Sequence, residues 1–310
     1  MAPPDSTNAA TPARTARHDT LQPIDLRLTL APLRHSRDDP TIRFEADGVW
    51  LARATASGPA AIRLATDGRT LTADAWGPGA DSALEAVPNL AGLNDRPELL
   101  TAYHALVHEL ERHFPGLRLP RTGQLLPALV PAVIEQKVTG PEAHAAYLAL
   151  ARRLGRPAPG PMPLLLPPTP ADMAALPYFE FHPLGLERRR ADLIRRISGQ
   201  ATAIEALIAL QADVASARLQ SIPGIGPWTA SEATRTAFGD PDAVSLGDAH
   251  LPDLVAWALA GEHRADDARM LELLEPYRGQ RARVVRLLEV AGIKIPRFGP
   301  RFAPRRITSI

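Results

Sequence analysis

The chain has 310 residues, 45% of them hydrophobic, enough to bury a substantial core and to divide into two or three domains. Its formal net charge is only +1, so any contact with nucleic acid must come from local patches and backbone groups rather than from bulk attraction. Without a single cysteine it has no disulfide, no thiolate nucleophile and no Cys-ligated zinc or iron–sulfur cluster.

Residues 1–20 (MAPPDSTNAATPARTARHDT) are small, polar and Pro-rich, and are expected to be a disordered tail. They lack the apolar stretch of a signal peptide, and no apolar run in the chain approaches the ~20 residues of a membrane span, so a cytoplasmic protein is expected. Residues 21–95 read as a small antiparallel sheet domain. Ile24, Leu26, Leu28 and Leu30 alternate with polar residues as in a half-buried strand, and Asp47-Gly48 and Asp67-Gly68 mark hairpin turns. The segment GPGADSALEAVPNLAGL then starts a helix that packs on this sheet.

Residues 96–293 read as helical throughout. Leu100, Tyr103, Leu106, Val107 and Leu110 have the spacing of an amphipathic helix. His104 and His108 on it are spaced to bind a metal, but no third ligand or acidic cluster lies near, and a solvated face is the simpler reading. LLPALVPAVIEQKVTGPEAHAAYLALARRLG is helix, turn at Thr139-Gly140-Pro141, and helix, followed by a Pro-rich surface connection over residues 156–170. Arg188, Arg189, Arg190, Arg195 and Arg196 form a basic helix face expected to be solvated and free to approach DNA. Residues 294–310 are a basic tail carrying Lys294, Arg297, Arg301, Arg305 and Arg306 without an acid.

The most informative stretch is residues 220–253. Gly224 and Gly226 lie between a helical pattern ending near Ile222 and another opening at Pro227. A hairpin this tight (Pro223, Gly224, Ile225, Gly226, Trp228, Thr229) leaves the amides of Gly224, Gly226 and Trp228 unpartnered at a helix N-terminus, where they suit a phosphate. Twenty-two residues after Gly226 stands a lone carboxylate, Asp248. Alone, a GxG turn is usually only a turn, and an Asp before a helix is usually an N-cap. A Rossmann fingerprint is excluded, because the third glycine is missing and a helix, not a strand, precedes the turn. Asp248, His250 and Asp253 lie on different sides of one turn, so no metal site is expected.

Taken together, LxxIPGIGPWTA and VSLGDAHL resemble the helix-hairpin-helix DNA glycosylases, and within them the 3-methyladenine glycosylase II (AlkA-like) group. The resemblance spans roughly residues 22–295 and includes IEQKVTG, LGLERRRADLI and PYRGQRARVVRLL in the family's order. It implies an α+β chain, a small N-terminal antiparallel sheet domain followed by an all-α helix-hairpin-helix glycosylase domain. It implies further that Asp248 is catalytic, that the hairpin grips the backbone of damaged DNA, and that the enzyme is a monomer with no cofactor. Relatives that also cut the strand carry a lysine on the helix after the hairpin, and PWTASEATRTAFG has none, so a monofunctional hydrolase of alkylated purines is expected. The pocket and wedge positions are Gln136, Lys137, Trp228, Glu232, Ala249 and His250. They depart from the family, which stacks aromatic rings on the base and fills the DNA stack with an apolar wedge. Another damaged base, or a non-catalytic DNA-binding role, are the alternatives.

Overall fold

Five strands form one antiparallel sheet in the order β1-β5-β4-β3-β2: β1 (Arg14–Asp19), β2 (Ile42–Glu45), β3 (Gly48–Thr55), β4 (Gly58–Thr66) and β5 (Thr70–Trp76). The computed structural model describes residues 14–20 and 22–295. The expectations of a disordered segment over residues 1–13 and of a basic tail beyond residue 295 lie outside the described residues. The hairpins fall at Asp47-Gly48 and Asp67-Gly68, with Gly48 at φ 140° and Gly68 at φ 92°, conformations that suit glycine.

Two N-terminal expectations are corrected. Arg14–Asp19 belongs not to a tail but to an edge strand, paired along its length with β5. Its residues are polar because the edge buries little, and its hydrogen bonds come from its neighbour. Leu26–Leu30 is a helix, α1, not a strand. The Asp25 side chain accepts from the amides of Arg27 and Leu28, capping a turn that buries Leu26, Thr29 and Leu30 on one face. Over five residues, a leucine repeat at i, i+4 satisfies both the two-residue and the helical period.

The sheet is covered on both faces. Ile42, Val49, Leu51, Ile62, Leu64 and Leu71 pack with α1 and with α2 (Ala80–Glu85) and α3 (Val87–Leu90). On the other face Trp50 and Trp76 stack with ring centroids 5.1 Å apart, and the Pro-rich connection lays Leu164 against them. That connection is tied down by a bridge between Pro157 and Leu165. The anticipated long amphipathic helix is shorter: α4 spans Ala105–His113, and His104 precedes it, its ring turned not to a solvated face but to the Tyr277 hydroxyl at 2.7 Å.

The helical part is organised on α5 (Leu125–Ile134), an apolar helix buried on nearly every side, with Pro127 exposed. Its first amides are capped by the Glu205 carboxylate, at 2.9 and 2.8 Å. α6 (Gly140–Leu154) starts with a capping box between Thr139 and Glu142. α7 (Pro170–Ala175), α8 (Tyr178–Phe181), α9 (Arg188–Gly199), α10 (Ala201–Ala206) and α11 (Ala212–Gln220) lead to α12 (Pro227–Phe238), which packs directly on α5. A second apolar cluster joins α4 to α13 (Leu251–Ala260), α14 (Asp267–Leu274) and α15 (Arg281–Val290). No helix among the described residues is long and apolar enough to cross a membrane.

The basic face on α9 also needs correcting. Arg188, Arg189 and Arg196 are exposed, but Arg190 is 2% exposed and donates to the carbonyls of Ile134 and Gly185 and to Glu187. It holds the C-terminal end of α5, and so the loop that follows it.

Candidate active site

The hairpin runs from Ser221 to Gly226 between α11 and α12. Ile225 is buried and its amide closes the turn onto the Ile222 carbonyl at 3.0 Å. The two glycines do different work. Gly224 sits at φ 96°, a conformation strained for other residues, and a Cβ there would lie 3.2 Å from Leu193. Gly226 has ordinary extended backbone (φ −96°, ψ −179°), and a Cβ there would meet nothing. Its missing side chain leaves open space beside the N-terminus of α12.

Side chains from neighbouring elements hold the hairpin carbonyls. Arg196 donates to the Pro223 carbonyl, and Gln136 Nε2 donates to the Gly224 carbonyl (3.0 Å) and to Thr229 Oγ1 (2.8 Å). Pro223 and Pro227 have no N–H, and the amides of Gly224, Gly226 and Trp228 find no acceptor among the described residues. Three donors without acceptors thus stand at the start of a twelve-residue helix, the end at which peptide dipoles favour an anion.

Asp248 lies on the loop between α12 and α13. Its Oδ1 accepts from the amides of His250 (2.8 Å) and Leu251 (2.9 Å), and its Oδ2 accepts from Trp228 Nε1 (2.9 Å). The carboxylate is therefore both a cap on α13 and a group fixed against the helix that opens at the hairpin. Ser245, buried three residues earlier, anchors the same loop by donating to Glu232 Oε1.

Of the other expected positions, Lys137 is exposed beside the hairpin at φ 55°, a left-handed conformation and the only positive φ among the described non-glycine residues. Ala249 and His250 are exposed on the loop and do not line the cavity described next. Thr229 is buried, with its hydroxyl turned to Gln136. No group of three or more potential metal ligands occurs among the described residues.

Glu232 follows Trp228 by one helical turn and lines a cavity of about 230 Å³ between the sheet layer and the helical part. Arg235 bridges Glu232 (2.7 Å) and Glu289 (3.4 Å), and Arg286 meets the other oxygen of Glu289 at 3.2 Å. Burial pushes the Glu232 carboxyl above its ordinary range, against the pull of Arg235 and Ser245. Burial alone would lower the Arg235 pKa, but Glu232 and Glu289 outweigh it and keep the guanidinium charged. Arg235, Ser245, Arg286 and Glu289 had no place in the reading of the sequence. Their one signal was two Glu/Arg pairs three residues apart, 232/235 and 286/289.

No family model matches the chain, and no curated protein matches it. Solved structures do. A 3-methyladenine DNA glycosylase from Archaeoglobus fulgidus superposes with a TM-score of 0.74 at 18% identity, covering 88% of this chain and 97% of that one. The Clostridium acetobutylicum 8-oxoguanine glycosylase/lyase bound to double-stranded DNA gives 0.68 at 11% identity, covering 90% and 99%. A Schizosaccharomyces pombe 3-methyladenine DNA glycosylase in complex with abasic DNA gives 0.52 at 16%, covering 64% and 97%. The chain thus has the fold of these DNA glycosylases over most of its length.

Proposed function

We propose that the chain is a monofunctional DNA glycosylase of base excision repair, acting as a monomer on alkylated purines. One observation carries this reading: three partnerless hairpin amides stand one helix start away from a carboxylate held at both oxygens. The amides of Gly224, Gly226 and Trp228 bind a phosphate of the damaged strand. The damaged base rotates out of the stack, and Lys137, held beside the hairpin by its neighbour Gln136, takes its place. Breaking the C1′–N bond sends the electron pair to the departing base and leaves oxocarbenium character on the sugar. Asp248 stabilises that charge and orients the water that adds to C1′. The chain has two lysines, Lys137 and Lys294, and neither is on α12, so no Schiff base forms there and the product is an abasic site in an uncut strand.

The test is incubation of methylated duplex DNA with the protein, followed by chromatography of the released bases. Free 3-methyladenine or 7-methylguanine, with strands that break only after heating in alkali, is the expected result. Strand breaks without alkali overturn the monofunctional reading. No released base overturns the alkylated substrate.

Two variants probe the DNA contacts. Gly226→Val should fold normally, since nothing crowds its Cβ, yet bind DNA of every sequence about ten- to a hundredfold more weakly, the loss of one or two hydrogen bonds to a charged group. A sequence-selective loss in fluorescence anisotropy would show that the hairpin does not grip the backbone. Lys137→Gly relieves a backbone strain of roughly 1 kcal/mol and offsets it with added chain entropy, so its melting temperature should hardly move. Base release from duplex DNA should nevertheless fall about tenfold or more, because unstacking costs a few kcal/mol that the side chain helps to recover. Undiminished release would remove Lys137 from that role.

A further inference from the structure

The cavity lined by Glu232 contains no Trp, Tyr or Phe, and among its lining are two carboxylates and two guanidinium groups bound to one another. Its place follows from helix geometry. Trp228 and Glu232 are i and i+4 on α12, on one face and about 6 Å apart along the axis. Trp228 donates to Asp248, so the helix that carries the partner of the carboxylate assigned to the sugar also lines the cavity, through Glu232. The cavity volume equals that of about eight liquid waters at ~30 Å³ each, room for a flat bicyclic base.

We propose that Glu232 and Arg235 read the flipped base, and that the site takes a guanine-type purine, with adjacent N–H donors beside a carbonyl, in preference to an adenine-type one. This rests on the glycosylase reading above. A carboxylate has about four acceptor positions, and Glu232 has used two, on Ser245 and Arg235. Arg235 spends one N–H on Glu232 and one on Glu289, leaving further donors of its five. Seating a base here removes water from all of these groups, so those left without a partner count against binding. The ring N–H and exocyclic amine of guanine lie side by side and can bond a carboxylate together, while the neighbouring carbonyl accepts from a guanidinium. Alkylation of the imidazole ring leaves that edge intact. An adenine-type edge places one donor group, its exocyclic amine, beside the acceptor N1, so Arg235 keeps a partner but Glu232 receives one N–H in place of two. Burial and like charge from Glu135 and Glu289 make Glu232 costlier to leave bare, sharpening the distinction.

The experiment uses methylated duplex DNA carrying both adducts, with initial release rates per adduct corrected for spontaneous loss. The wild type is expected to release 7-methylguanine about ten- to a hundredfold faster than 3-methyladenine. Glu232→Gln should erase that preference by slowing 7-methylguanine release alone, with binding to abasic DNA unchanged. Glu232→Asp, which keeps the charge next to Arg235 but withdraws the carboxylate by one methylene, should do the same if the glutamine variant does not fold. Equal slowing of both bases, or a wild-type preference for 3-methyladenine, overturns the proposal. Release of neither base refutes the alkylated substrate alone; the edge reading is then decided on duplexes containing 8-oxoguanine, which has the same edge. Release that depends on Glu232 supports it, and no release overturns it.

Discussion

Asp248→Asn is expected to lower base release by about a thousandfold, while DNA affinity stays equal or rises. The magnitude is that of removing a preorganised charge from a developing oxocarbenium ion, by analogy with single groups worth ~10²–10³ in comparable sites. Affinity should not fall, because the carboxylate repels the phosphates the hairpin must approach.

The geometry separates chemistry from folding in this variant. Asn caps helices about as well as Asp, so its carbonyl oxygen can keep both amides of α13. Its amide nitrogen then faces Trp228 Nε1–H, donor against donor, with the loss of one hydrogen bond at about 1 kcal/mol. A shift in melting temperature of only a few degrees should accompany the thousandfold loss of turnover. Asp248→Ala would lose the cap as well, about another 1 kcal/mol, so it is the poorer probe of mechanism. Single-turnover release at saturating enzyme is the measurement. Unchanged turnover would mean that Asp248 is only a cap, and equal losses of binding and turnover would mean that it only supports the hairpin.

The hairpin was legible in the sequence because its chemistry is local. Pro at the first helical position and two glycines in the turn before it can be read from one short stretch, although only Gly224 takes positive φ and a Cβ on Gly226 would meet nothing. That Asp248 caps a helix was legible for the same reason, although its bond to Trp228 was not, since the indole had been placed among the pocket and wedge positions. Of the residues that line the cavity, only Glu232 had been named from the sequence. His35 comes from the sheet layer, Glu135 from the end of α5, Glu232 and Arg235 from α12, and Glu289 from α15. Only tertiary packing brings them within reach of one another. Arg190 failed differently. In a run of five arginines near one helix, nothing local distinguishes the one turned inward onto the Ile134 carbonyl from its solvated neighbours.

The same packing makes the pair Asp95–Arg283 the most sensitive point for stability. Asp95 stands where the chain leaves the sheet layer, and Arg283 is on α15; their side chains are 7% and 4% exposed. Asp95 Oδ2 accepts from Arg283 Nη1 at 2.9 Å and from the Leu119 amide at 3.0 Å, Oδ1 accepts from Nη2, and Arg283 Nε donates to Gln280 at 2.7 Å. Each charge is satisfied chiefly by the other, so Asp95→Ala strands a buried guanidinium and should cost about 3–5 kcal/mol. At roughly 2–4 °C per kcal/mol, that is a fall of about 6–20 °C in melting temperature, measured by circular dichroism. The double variant Asp95→Leu/Arg283→Met should recover much of the loss, because it leaves no charge without a partner. An Asp95→Ala melting point within a degree or two of the wild type would show that water reaches this pair. Function should follow stability here, since Arg286 and Glu289 lie within two turns of Arg283 on the same helix. A loosened α15 displaces the wall of the base cavity but not the hairpin, so Asp95→Ala should lose base release at temperatures where it still binds DNA.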